Sequence, residues 1–231
     1  MDIITEIQNK IEPFASQYYK KYRAEELCYW YHVAEWMIQD AKENKNNVDK
    51  VLDIGSGHGT LSVLAKTIYN CDVISVDVLD YITKSMIKHF DLNYILLDVE
   101  VDMEEIEFYN YYDRIIFTEV LEHLYCNPIP TLTKFNKMLK DNGLMFLSTP
   151  DSIEWGCLDT FYTHPNQMPN PEDIKKPDFN TINQHIYQYN QEEVKKLIDE
   201  SGFKINKFSL CKIGERPRHL NYELKKAGEE L

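Results

Sequence analysis

The stretch Val48–Thr60, V-D-K-V-L-D-I-G-S-G-H-G-T, constrains this chain more than any other. An apolar strand pattern (Val51, Leu52, Ile54) runs into glycines at alternate positions, Gly55, Gly57 and Gly59, and an apolar helical pattern (Leu61, Leu64, Ala65, Ile68) follows at once. Strand, glycine turn and helix in direct succession make the βα corner on which nucleotides bind. Glycine takes positive φ freely and has no β-carbon, so the main chain can turn tightly and lie against a ligand. The helix behind it presents free N–H groups. A glycine loop alone is equally a tight turn with no ligand. The next strand pattern shifts the balance: Cys71-Asp72-Val73-Ile74-Ser75-Val76-Asp77 ends in an acid about 20 residues beyond the loop, where a ribose-binding carboxylate belongs.

Spacing decides which ligand. A dinucleotide loop reads G-x-G-x-x-G, whereas here the third glycine comes one residue early and an acid, Asp53, stands two residues before the first. This D-x-G-x-G-x-G stretch resembles motif I of the class I S-adenosylmethionine-dependent methyltransferases. The resemblance covers roughly Lys50 to Lys226 and implies S-adenosyl-L-methionine as cofactor. It implies that Asp53, Gly55, Ser56, Gly57 and Gly59 hold the methionine end, Asp77 and Val78 the ribose, and Asp98 and Val99 the adenine, with Glu119 closing the wall. It further implies an α/β, Rossmann-like seven-stranded sheet in the order 3-2-1-4-5-7-6, the seventh strand antiparallel and helices on both faces.

Bulk properties narrow the partners. A formal net charge of -13 makes a long nucleic acid an unfavourable partner, because affinity for a phosphate backbone comes largely from Lys and Arg. The 5 cysteines, Cys28, Cys71, Cys126, Cys157 and Cys211, form no C-x-x-C pair and read as reduced thiols of a cytoplasmic protein. The start M-D-I-I-T-E-I has no signal-peptide pattern, and no apolar run of about 18 residues predicts a membrane span. A small-molecule acceptor is expected; oligomeric state is not encoded in any pattern here.

Along the chain, Ile3, Ile4, Ile7, Ile11 and Phe14 recur at helical spacing, and a second helical pattern carries Tyr18, Tyr22, Tyr29, Trp30, Val33, Trp36 and Met37 towards Lys42. Two helices, residues 1–47, are therefore expected to precede a methyltransferase domain at 48–231. Their aromatic stripe reads as core, or, at Tyr22, Tyr29 and Trp30, as a cap whose rings attract a positive sulfonium. Further elements are a helix over Thr83–Phe90, a strand Asn93–Asp98, a strand Tyr112–Val120, a helix Pro128–Lys140 stopped by Asp141-Asn142-Gly143, and a strand Leu144–Ser148. Gln191–Ser201 reads as a helix with Gly202 as its cap, and Phe203–Ile213 and Leu220–Lys226 as closing strands. Between Asp151 and Asn190, prolines (Pro165, Pro169, Pro171, Pro177) and aromatics (Trp155, Phe161, Tyr162, Phe179) follow neither period. So long an irregular stretch, rich in aromatics, predicts a lid over the acceptor pocket.

Glu119-Val120-Leu121-Glu122-His123 ends the fourth strand. The E-x-x-E-H pattern resembles that of ubiquinone-pathway O-methyltransferases and small-RNA 3'-terminal 2'-O-methyltransferases, in which it binds a divalent metal. In the RNA group a later histidine in an H-x-x-[FY]-x-[FYW] context completes the site, and His185-Ile186-Tyr187-Gln188-Tyr189 has that form. The resemblance implies Mg²⁺ or Mn²⁺ on Glu119, Glu122, His123 and His185, a donor set such cations accept. Leu124 departs from the RNA pattern, which commonly has a second histidine there. E-V-L-E-H also occurs in metal-free small-molecule enzymes, where Glu122 favours a helix start and His123 packs in the core. Catalysis is thus assigned to His185, Glu122 and His123, with His185 as general base or metal ligand. His164 is second among the histidines; His32, His58, His89 and His219 are expected to be structural or on the surface. The leading reading is O-methylation of a small polar acceptor, a sugar, nucleotide-linked sugar or similar metabolite. Methylation of an RNA 3' end and a non-catalytic cofactor-binding partner protein are the alternatives.

Overall fold

The computed structural model describes residues 3–154, 160–174, 185–213 and 216–228. The expectations resting on Trp155, Cys157, Pro177 and Phe179 lie outside them. Seven strands form one sheet in the order β3-β2-β1-β4-β5-β7-β6. They are β1 (Lys50–Ile54), β2 (Asp72–Asp77), β3 (Asn93–Leu96), β4 (Tyr112–Thr118), β5 (Leu139–Pro150), β6 (Phe203–Ile213) and β7 (Arg216–Lys226). Strands β1 to β5 pair in parallel, whereas β7 runs antiparallel to both β5 and β6.

The helices are α1 (Ile3–Ile11), α2 (Tyr19–Tyr29), α3 (Tyr31–Asn44), α4 (Thr60–Tyr69), α5 (Lys84–Phe90), α6 (Pro128–Met138) and α7 (Gln191–Glu200). Successive strand side chains point to opposite faces, so each central strand feeds two cores. Leu52, Ile115 and Met145 pack with Leu132 and Phe135 of α6 and Val194 and Ile198 of α7. Val51, Ile116 and Phe146 pack with Ile7 of α1, Met37 of α3 and Leu64 of α4. That double burial is why these strands read as nearly unbroken apolar runs. Among the described residues no helix is long and apolar enough to cross a membrane.

Several boundaries differ from the sequence reading: β4 ends at Thr118, β5 spans Leu139–Pro150 and β7 begins at Arg216. The expected second helix is two helices broken at Trp30, whose φ of -130° and ψ of 28° leave the helical region. A continuous helix would pair Val33 N–H with Tyr29 C=O. The side chain of Asn221, from β7, stands in for both partners: its Oδ1 accepts from Val33 N (3.3 Å) and its Nδ2 donates to Tyr29 O (2.9 Å). A side chain inserted into the ladder is a recognised cause of a kink. β3 ends at Leu96, so Asp98 belongs to the following loop. The helix α6 stops at Met138, and Asp141-Asn142-Gly143 lies inside β5, where pairing jumps from Tyr112↔Leu139 to Arg114↔Leu144.

At the end of the sheet opposite the glycine loop, Arg114 of β4 grips Asp40 of α3 through Nε (2.7 Å) and Nη2 (2.8 Å), and Tyr69 Oη donates to the same carboxylate (2.8 Å). Burial favours a neutral Asp40, but the Arg114 hydrogen bonds and charge outweigh it and hold the acid below its ordinary range. Asp40→Ala strands a buried guanidinium and is expected to cost about 3–5 kcal/mol in a denaturant titration, with Asp40→Ala/Arg114→Met recovering most of that loss. Equal losses in the single and double variants would contradict this.

Candidate active site

The carboxyl ends of β1, β2 and β4 open into a cavity of about 330 Å³. Its floor is the glycine loop. Gly55, Gly57 and Gly59 have φ of +68°, +49° and +78°, all in the left-handed region that a β-carbon disfavours. A β-carbon on Gly55 would come within 2.1 Å of Val120 Cγ2, whereas one on Gly57 would meet nothing within 4 Å because it faces the cavity. Ser56 Oγ and His58 Nδ1, both buried and both in the cavity wall, have no hydrogen-bond partner among the described residues. A buried polar atom without a partner is costly, so both atoms are open to a ligand's polar groups.

Asp77, at the tip of β2, is held by Gly57 N–H on Oδ2 (2.8 Å) and Leu79 N–H on Oδ1 (2.9 Å). Each oxygen keeps a lone pair for a further donor. Asp53 is turned inward: it is 1% exposed, accepts from Ser62 Oγ, and burial raises its pKa to about 7. Asp98 spends one oxygen on Tyr125 Oη (2.8 Å) and the other on Glu100 N–H (2.9 Å). Val78, 55% exposed, and the buried Val99 flank the mouth. Glu26 and Glu100 also line the cavity, with burial raising them to about 7 and about 8. Among the described lining residues there is no Lys or Arg. A ligand carrying positive charge would favour ionisation of these buried acids.

The roof comes from the N-terminal helices. Tyr18, Tyr22 and Trp30 line the cavity together with Tyr81, and the rings of Tyr18, Tyr19, Tyr22 and Tyr81 surround His58 at 5.1 to 5.9 Å. Tyr29 stands one layer back, 4.7 Å from the His219 ring. Glu26 ties this roof down, accepting from Thr60 Oγ1 (2.8 Å) at the start of α4 and from Gln8 Nε2 (2.9 Å) of α1.

At the inner end, a 3-10 turn over Leu121–His123 follows β4. The segment before α7 folds back over it: Ile186 N–H and Tyr187 N–H donate to Glu122 C=O (2.7 and 3.3 Å), and Ile186 and Tyr189 are buried. This brings His185 edge-on to His123, with ring centroids 5.2 Å apart. Glu122, His123 and His185 each offer one donor atom within 4.8 Å of the others. Glu122, 1% exposed, accepts from Thr149 Oγ1 (3.0 Å), and burial with the nearby Glu119 charge pushes its pKa well up. His185 is pushed down to about 4, first by burial and then by His123. Its Nδ1 is buried without a hydrogen-bond partner among the described residues.

Glu119, expected as the fourth member of that group, is placed otherwise. Its φ of +55° follows the last residue of β4 and turns the side chain towards Ser148 Oγ (2.7 Å) and His219 Nδ1 (2.9 Å). Of the histidines read as structural or surface, His58 stands in the cavity wall and His219, 1% exposed, stands against Glu119. His164 is exposed and starts a short turn through its backbone, while His89 stacks on Phe14 and His32 contacts Glu35. His58 was visible inside the glycine loop. His219 left no such signal: His219, Asn221 and Glu223 alternate with Leu220, Tyr222 and Leu224, the pattern of a half-exposed strand, and only the fold buries all three polar residues.

A glycine-loop cavity lined by acids, at the carboxyl ends of a 3-2-1-4-5-7-6 sheet, defines the class I methyltransferase architecture. The profile of a family described as a methyltransferase domain matches residues 19–207, and the chain belongs to that family, as an S-adenosylmethionine-dependent methyltransferase. Among solved structures it is similar to the 1,6-didemethyltoxoflavin N1-methyltransferase of Burkholderia thailandensis with bound 1,6-didemethyltoxoflavin and S-adenosylhomocysteine (14% identity, 84% of this chain and 78% of that one, TM-score 0.60). It is similar also to an S-adenosylmethionine-dependent methyltransferase of Clostridium acetobutylicum (14% identity, 84% and 91%, TM-score 0.59) and to the carbon methyltransferase CurJ (20% identity, 78% and 49%, TM-score 0.53). At such identities the likeness is one of fold. No curated protein sequence matches the chain.

Proposed function

We propose that this methyltransferase transfers the methyl group of S-adenosyl-L-methionine to a hydroxyl oxygen of a small polar acceptor, a sugar, nucleotide-linked sugar or similar metabolite, and that His185 takes up the acceptor's proton. The convergence of His185 and Glu122 on His123, which lines the cofactor cavity, carries this reading. The bound cofactor supplies an electrophilic methyl on a positive sulfonium, displaced in line by the acceptor oxygen. The open face of Gly57, the Ser56 hydroxyl and Asp53 at the loop suit the methionine end. Asp77 with Val78 suits the ribose and Asp98 with Val99 the adenine, while Tyr22 and Trp30 close the roof. An oxygen that has gained a methyl is strongly acidic, so a neutral imidazole of low basicity suffices to receive its proton. Residues 3–47 act as a cap over the cofactor, and the described residues 151–154, 160–174 and 185–190 as a lid over the acceptor. Unpaired Cys28, Cys71, Cys126 and Cys211 suit the cytoplasm. A long nucleic acid or RNA 3' end is disfavoured, because no Lys or Arg among the described lining residues would meet its phosphates.

A metal-assisted reading is favoured by the same group. One carboxylate and two imidazoles, one with an unpartnered buried nitrogen, fit a divalent cation such as Mg²⁺ or Mn²⁺, whose charge would also favour ionised Glu122. Glu122, His123 and His185 would hold it, and its chemistry would be to lower the acceptor hydroxyl's pKa. Glu119 accepts from Ser148 Oγ and meets His219 instead. Exhaustive chelation is expected to leave turnover intact, with His185→Ala alone abolishing it. Loss of turnover with EDTA and its return with Mg²⁺ or Mn²⁺ would transfer the role to the metal.

A further inference from the structure

A third imidazole reaches this site from a strand that the reaction scheme above leaves unused. His219 lies on β7 opposite Pro150 of β5, is 1% exposed, and places Nδ1 2.9 Å from Glu119 Oε2. The other carboxylate oxygen of Glu119 accepts from Ser148 Oγ (2.7 Å), and Glu119 N–H donates to Ser148 C=O (2.9 Å). Glu119 holds a φ of +55° at the cavity wall. A residue with a β-carbon pays about 1–2 kcal/mol for that conformation and keeps it only where its surroundings over-determine it. Here β5 and β7 supply those surroundings, one from each side of the carboxylate.

We propose that His219 is a positioning residue for methyl transfer: it fixes the Glu119 carboxylate, and with it the strained end of β4, between the glycine loop and the Glu122–His123–His185 group. The chain runs from Glu119 into the turn that carries Glu122 and His123, so the direction of this one residue sets where the turn begins. The contact is polar but not aligned as a hydrogen bond, and a proton on Nδ1 is what makes a 2.9 Å approach to a carboxylate oxygen attractive. The ring of Tyr29 packs on His219 at 4.7 Å, and Asn221, two residues on, holds the break between α2 and α3. β7 thereby fastens the helical roof and the catalytic turn to one strand. The inference rests on methyl transfer occurring in this cavity and is independent of whether the methyl lands on oxygen.

The test replaces His219 by Leu, which removes the N–H, and by Asn, whose amide nitrogen falls near the position of Nδ1. Turnover is read as S-adenosylhomocysteine release with whichever acceptor the wild type uses, so the ratio survives a wrong acceptor assignment. His219→Leu is expected to lower kcat about 10- to 100-fold, the range for a misplaced reacting group, with S-adenosylhomocysteine affinity within about 3-fold of wild type. His219→Asn should recover most of the loss, and His219→Leu combined with Glu119→Gln should be little worse than either alone. Nitrogen NMR of the wild-type His219 ring should show Nδ1 protonated. A folded His219→Leu with unchanged kcat, an Asn variant as impaired as Leu, additive losses, or an Nε2-protonated ring would each overturn the proposal.

Discussion

Gly57→Val is expected to leave the chain folded and to abolish cofactor binding. The glycine sits at φ +49°, which a β-carbon makes less favourable by about 1–2 kcal/mol, a tolerable loss for a domain of this size. Its β-carbon would meet no protein atom within 4 Å, so the valine side chain projects into the cavity. The affinity for S-adenosylmethionine and S-adenosylhomocysteine should fall at least about 100-fold, equivalent to about 2.7 kcal/mol. Gly55→Ala should behave differently, because its new methyl meets Val120 Cγ2 at 2.1 Å and must displace the end of β4, so thermal stability falls as well. Calorimetry together with thermal melts separates the two. Unchanged affinity in a folded Gly57→Val variant would remove the glycine loop from the account.

His185→Ala is expected to lower kcat by about 10²–10⁴, the range for loss of a positioned general base, with cofactor affinity preserved because His185 is not part of the cofactor cavity wall. Burial, then His123, moves its pKa from 6.5 to about 4. In the folded protein the ring therefore stays neutral through the physiological range, and kcat should be flat there and fall only as pH drops through about 4. The stability consequence has the same direction. Between about 4 and 6.5 the unfolded chain binds a proton that the folded chain does not, so the contribution of His185 is complete above 6.5 and is lost as pH falls through the folded value. A kcat that instead titrates with a midpoint near 6.5, or a His185→Ala variant with wild-type turnover, would show that the imidazole at this position does not take the proton.

The parts of the molecule that were legible in the sequence are those written in local patterns. The glycine loop and the acid ending β2 announced the cavity, because a tight turn, a free helix start and a strand-end carboxylate all lie within one βα unit. The alternation of strand and helix patterns announced an α/β sheet with helices on both faces. The strand order came from resemblance, since periodicity carries no information on which strands pair. What escaped is written between distant residues. The break at Trp30 has no glycine or proline to mark it; it is made by Asn221, 188 residues away from Val33. The separation of Glu119 from Glu122 and His123 depends on a single positive φ and on two side chains from β5 and β7. The tyrosines around His58 come from α2, its approach and the loop after β2, and only the fold brings them to the glycine loop.

The atom that receives the methyl group is the most direct test of the proposed function. The protein, supplied with S-adenosylmethionine carrying a ¹³C-methyl label and offered neutral sugars, nucleotide-linked sugars and related polyols, should release S-adenosylhomocysteine and give a product whose labelled carbon shows the NMR shift of a methyl ether. The signal should vanish with His185→Ala. A labelled product bearing its methyl on nitrogen or carbon, formed at an undiminished rate by His185→Ala, would contradict oxygen methylation and the proton-accepting role together.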